Sequence, residues 1–136
     1  IPVWLNEGLA QWAEGMVSYN RGGAGGGDGR LDARQARIYR RYWSWKGLDS
    51  FWSGQSFHLA ASQRASYQLA DVMFQNLLSH PHRSRRLSEF LGTANHQDAG
   101  DAACRACFGC SLSSLAEEFL GLGSWQPPPL PQRNGT

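Results

Sequence analysis

With 136 residues, 41% of them hydrophobic, the chain fits one modest domain whose core has a thin margin. A net charge of +2 is too small to point to a nucleic-acid partner by itself, and no run of about 18 apolar residues exists to form a membrane-spanning helix. The three cysteines, an odd number gathered toward the C-terminal end, argue against a disulfide framework.

The chain opens on Ile1 and runs at once into a helical pattern, which predicts that it begins inside a larger protein. In the first helix Leu5, Leu9, Trp12, Ala13 and Met16 form one apolar stripe, with Asn6 as the predicted cap. Arg21 to Gly29 is glycine-rich and is predicted to be a loop, since glycine loses the most backbone freedom on ordering. A second helix is predicted from about Asp32 to Lys46, with Ile38, Tyr39, Tyr42 and Trp45 on one side and Arg34, Arg37 and Arg41 on another. Leu48 to Trp52 suits a short helical turn. A long helix is predicted over Ala60 to Leu78, with Leu69, Ala70, Met73, Phe74, Leu77 and Leu78 inward, ended by Pro81. Shorter helices are predicted at Ser84 to Leu91, Ala99 to Cys107 and Leu112 to Leu120. For the last, Ser114 and Glu117 have capping-box spacing and Ser111 is a rival cap. Gln126 to Thr136 carries PPPLP and is predicted to be an extended, poorly ordered tail. No strand pattern or internal repeat is present. The fold expected is mainly α, a small helical bundle over residues 1–125.

At about 100° per residue, Glu7, Gln11 and Glu14 fall opposite the apolar stripe of the first helix, and Gly8 and Ala10 leave Glu7 with little bulk beside it. Periodicity alone makes this a solvated polar face. The residue string adds to that. PVWLNEGLAQWAEG, residues 2 to 15, resembles the segment that supplies the third zinc ligand in gluzincin zinc metallopeptidases of the peptidase MA-like group. ASYQLADVMFQNLL, residues 65 to 78, and FGCSLSSLAEEF, residues 108 to 119, resemble later helices of the same families more loosely. The resemblance implies the C-terminal helical subdomain of a zincin-like catalytic domain, with Glu7 as a Zn2+ ligand and a peptide or protein as substrate. It further implies two histidine ligands from an HExxH helix upstream of this chain. A zinc so held keeps an open position for water and polarises the scissile carbonyl. Tyr67 is the matching candidate for stabilising the oxyanion. Asn6 and Gln11 flank the ligand, Gln11 at the position from which a side chain orients a ligating histidine.

His58, His80, His82 and His96 form no HExxH pair, so the chain alone is expected to be inactive. A non-catalytic helical interaction domain descended from such a peptidase is the alternative. Cys104, Cys107 and Cys110 with His96 could form a structural zinc module, but their spacing lacks two separated pairs, and core packing of the cysteines is the preferred reading. Gly22 to Gly29 is not a phosphate loop, because no strand precedes it and no Gly-Lys-Ser/Thr follows. Arg34, Arg37, Arg40 and Arg41, interleaved with aromatics, and the basic stretch from His80 to Arg86 read as solvated faces rather than as a nucleic-acid surface.

Overall fold

The computed structural model describes residues 1–20 and 33–127, with residues 16–20 and Ala33 described by their backbone only. The predicted glycine-rich loop, Asp32, the Met16 side chain and residues 128–136 of the predicted tail lie outside that description. Among the described residues seven α-helices follow in order: α1 Val3–Asn20, α2 Ala33–Lys46, α3 Asp49–Ser53, α4 Gln63–Ser79, α5 Pro81–Thr93, α6 Asp101–Phe108 and α7 Leu112–Leu120. Short 3-10 turns lie at Gln55–His58 and His96–Asp98, and no strand occurs among the described residues. The mainly α bundle expected from the pattern is what forms. No described helix is long and apolar enough to cross a membrane.

α1 begins earlier than its predicted cap. The Asn6 N–H donates to the Pro2 carbonyl at 3.0 Å, so Asn6 lies within the first turn, exposed, and does not cap the helix. The fixed φ of proline suits that entry position, which needs no N–H. Pro81 likewise starts α5 rather than only ending the helix before it. The chain before α4 does not continue that helix back to Ala60. It makes the 3-10 turn Gln55–His58, and α4 begins at Gln63. At α7 the rival cap wins: Ser111 Oγ accepts from the Ser114 N–H at 3.1 Å. Asp98 and Asp101 satisfy further N–H groups at the starts of the last two helices. Asp98 accepts from the Gly100 and Ala102 N–H groups, and Asp101 accepts from that of Leu112.

The core is aromatic. Trp4 is fully buried and packs near Phe51, Trp52 and Phe90, with ring centroids 6.1–6.5 Å apart. Its Nε1–H donates to the Ala99 carbonyl at 2.8 Å, which ties the start of α1 to a corner 95 residues later. Ala99 has a φ of 57°, a conformation an L-residue adopts at a cost of roughly 1–2 kcal/mol. The Trp4 bond and the two bonds accepted by neighbouring Asp98 hold it there. A ring series runs Trp43, Phe51, Phe57, Tyr67 with centroids 5.2–5.7 Å apart, linking α2, α3, the 3-10 turn and α4. Trp43 is the buried residue of α2, whereas Ile38 and Trp45 are exposed, contrary to the predicted face. The helix is rotated so that Tyr39, Tyr42 and Trp43 turn inward while Arg34, Arg37 and Arg41 stay in solvent. Arg40 reaches across to α7, donating to the Phe119 carbonyl at 2.6 Å with its guanidinium over the Phe119 ring.

Candidate functional site

The WLNEGLA block splits by face. Trp4 and Leu5 are sunk in the core, Gly8 is buried, and Glu7 and Gln11 are half-buried on the adjoining flank. Gly8 is where α1 meets α4. A Cβ built there would stand 2.8 Å from the Ala70 carbonyl oxygen and 3.0 Å from the Phe74 Cβ. Only glycine lets the two backbones come so near.

One turn on, Trp12 meets the ring of Phe74 at 6.1 Å. Gly8 with Ala70 and Trp12 with Phe74 are each four residues apart, so the two helices cross running in the same sense. In such a pair, the residue before a contact position on one helix and the residue after it on the other face the same side. Glu7 and Gln11 therefore share a flank with Tyr67 and Asp71. Leu5 and Leu9 share the opposite, core-facing side with Leu69 and Met73, in agreement with their burial.

Glu7 has no hydrogen bond or ion pair to any described residue. A half-buried carboxylate is normally satisfied by water, by a cation or by donor groups. Tyr67 rests the edge of its ring against Phe57, with centroids 5.2 Å apart and planes at 83°, and is half-buried. No hydrogen bond joins it to Glu7. Asp71, one turn beyond Tyr67, has its carboxyl pushed above the ordinary range by burial, partly offset by a hydrogen bond from Gln75. Neither of two described surface clefts reaches this flank. One lies between the end of α2 and residues 122–125, and the other among Arg34, Arg37, Ile38 and Arg41.

Tyr67 owes its position to three serines that the sequence reading passed over. Ser66 Oγ lies 2.6 Å from Ser56 Oγ and 2.7 Å from the Ser62 carbonyl, and Ser62 Oγ donates to the Ser56 carbonyl at 2.8 Å. All three are buried. They lock the 3-10 turn carrying Phe57 on to the first turn of α4, and so set the ring on which Tyr67 leans. The available signal was Ser62 and Ser66, one turn apart, with Ser66 on the inward face of an apolar helix.

The cysteine cluster behaves as core. Cys104 and Cys107 are buried and Cys110 is partly so. Among the described residues no group of three or more His, Cys, Asp or Glu side chains is disposed to hold a metal ion. Neither His96 with the thiols nor Glu7 belongs to such a group. No protein-family model, curated protein or solved structure matches the chain.

Proposed function

We propose that the chain is the third-ligand portion of a gluzincin-type zinc metallopeptidase, with Glu7 as the zinc ligand and Tyr67 as the oxyanion stabiliser. The observation that carries this reading is the unpartnered, half-buried carboxylate of Glu7. It sits beside a glycine that brings α4 close enough to place Tyr67 on the same flank. A surface glutamate needs neither a glycine-mediated helix crossing nor a buried tryptophan three residues before it. A ligand glutamate must be held in a fixed direction and depth, and the crossing at Gly8 and the buried Trp4 hold the backbone of Glu7 in this way.

The residues present suit one zinc position: a carboxylate oxygen without a competing cation is a good donor. Bound zinc supplies Lewis-acid polarisation of a substrate carbonyl and a nucleophilic water near neutral pH. The chain's own part is to aim Glu7, to hold Gln11 one turn further along as an acceptor for a histidine N–H, and to present the Tyr67 hydroxyl as a donor. The remaining ligands and the general base belong to an HExxH helix encoded upstream of Ile1. Without it this chain is inactive.

The coding sequence upstream of Ile1 tests this. An HExxH in the same reading frame, within a few tens of residues of Glu7, supports the peptidase. A continuous frame lacking it leaves a helical interaction domain of peptidase descent and refutes the catalytic reading.

A further inference from the structure

Helix α2 carries four arginines and Lys46 and no acidic residue. Arg40 is engaged with Phe119, whereas Arg34, Arg37 and Arg41 are exposed. Ion pairs among the described residues engage Arg83, Arg86 and Arg105, none of them in α2. Arg34 with Arg37 and Arg37 with Arg41 stand at the spacings at which like charges repel on a helix. Large apolar side chains share this face. Arg34, Ile38, Arg41 and Trp45 follow at steps of four, three and four residues, which sets them within about 60° of one another along roughly 16 Å of helix. Trp43, two residues before Trp45, points the other way, into the core. Ile38 is 56% exposed and Trp45 82%; Leu122, which lines one cleft with Trp45, is 93% exposed. These are three of the five large apolar residues exposed on the described surface. Scattered singly they would need no partner, but grouped on one stripe and one cleft they mark an interaction surface. No acidic side chain lines that cleft or the one among Arg34, Arg37, Ile38 and Arg41.

Cation and apolar side chain alternate along one stripe, and that alternation selects the partner. A dry protein interface would strip water from three guanidinium groups, a cost that only matched acids repay. A single strand of nucleic acid stacks successive bases on aromatic rings, whereas here Trp45 is the exposed ring and its apolar companions, Ile38 and Leu122, are aliphatic. The headgroup layer of an anionic bilayer takes both classes at one depth. Guanidinium groups stay hydrated against lipid phosphates, an indole seats at the interface, and aliphatic chains reach the acyl boundary. We infer that this face of α2, together with Leu122, is a docking surface for an anionic phospholipid bilayer, with the helix lying in the plane of the membrane. The inference is independent of Glu7, which belongs to the flank of α1 and α4.

The test is co-sedimentation of the whole 136-residue chain with phosphatidylcholine vesicles made with and without phosphatidylserine. The expected result is binding to the vesicles that contain phosphatidylserine, weakened by added salt, and little binding to phosphatidylcholine alone. Each cation near an anionic leaflet strengthens binding roughly fivefold, so the combined Arg34→Gln, Arg37→Gln, Arg41→Gln variant should bind about a hundredfold more weakly. Trp45→Ala should lose about tenfold. Brominated acyl chains should quench part of the parent's tryptophan emission, and Trp45→Phe should abolish that quenching, since the other tryptophans are buried or half-buried. Equal binding to neutral and anionic vesicles, binding by the triple variant at the parent's strength, or quenching that persists in Trp45→Phe would overturn the inference. So would a single-stranded oligonucleotide that binds the same arginines more tightly than the vesicles do. If the triple variant loses its helical circular dichroism, Arg34→Gln and Arg41→Gln decide singly, each with an expected loss of about fivefold.

Discussion

Replacing Gly8 with alanine tests the crossing on which the candidate site depends. In an ordinary exposed helix this change stabilises by about 1 kcal/mol, because alanine is the better helix former. At Gly8 the added Cβ meets the Ala70 carbonyl oxygen at 2.8 Å and the Phe74 Cβ at 3.0 Å. The first neighbour is backbone and the second is the root of a buried side chain, so neither can swing aside. Helix α1 must move off α4, and overpacking of this kind costs about 1–3 kcal/mol. The propensity gain offsets part of it, leaving a net loss of up to about 2 kcal/mol, a fall in Tm of up to roughly 8 °C at this chain length. Gly15 is the internal control. It lies in the same helix, and nothing stands within 4 Å of a Cβ built there. Gly15→Ala should therefore raise stability by about 0.5–1 kcal/mol. Urea unfolding followed by far-UV circular dichroism measures both. Equal stabilisation by the two substitutions would refute the close crossing, and with it the shared flank of Glu7 and Tyr67.

Trp4→Phe removes the Nε1–H bond to the Ala99 carbonyl and leaves that buried acceptor unpaired. A loss of about 2–4 kcal/mol is expected in chemical unfolding, and a change within 0.5 kcal/mol would show that the anchor is dispensable. Hydrogen bonds from Arg83 at 3.0 Å hold the Glu118 carboxyl below the ordinary glutamate range. A depressed acid stabilises the fold above its unfolded pKa, and that share is lost as pH falls through the folded value. With the Glu118 side chain 40% exposed, the share is at most about 1 kcal/mol. Glu118→Gln should be the less stable protein at pH 7, and the gap to the parent should close between about pH 5 and pH 3; a gap independent of pH would contradict the ion-pair account. In the full-length protein, Tyr67→Phe should lower kcat by about tenfold or more with zinc retained; unchanged turnover removes Tyr67 from the chemistry.

The helical order was legible because apolar spacing in α1, α4 and α7 is regular and each element is bounded by proline, glycine or serine. The orientation of α2 was not. Its sequence holds aromatics on nearly every side, so Tyr39, Tyr42, Trp43 and Trp45 offer two rival faces, and only packing against Phe51 selects the one with Trp43 inward. Asn6 misled as a cap because Pro2, four residues earlier, already provides an entry, which a cap reading centred on polar side chains overlooks. Glu7 was visible as a polar residue beside a glycine. That Gly8 serves a helix crossing could not be read, since it depends on Ala70 and Phe74, some sixty residues away. The serine cluster under Tyr67 is likewise a product of tertiary contact between two short segments.

The central claim is that Glu7 binds zinc. Zinc stoichiometry by elemental analysis of the purified full-length protein, compared with its Glu7→Ala variant, tests it most directly. The account predicts about one zinc per chain in the parent and near-complete loss in a Glu7→Ala protein that retains its helical circular dichroism. A folded Glu7→Ala variant with zinc at the parent's occupancy would contradict it.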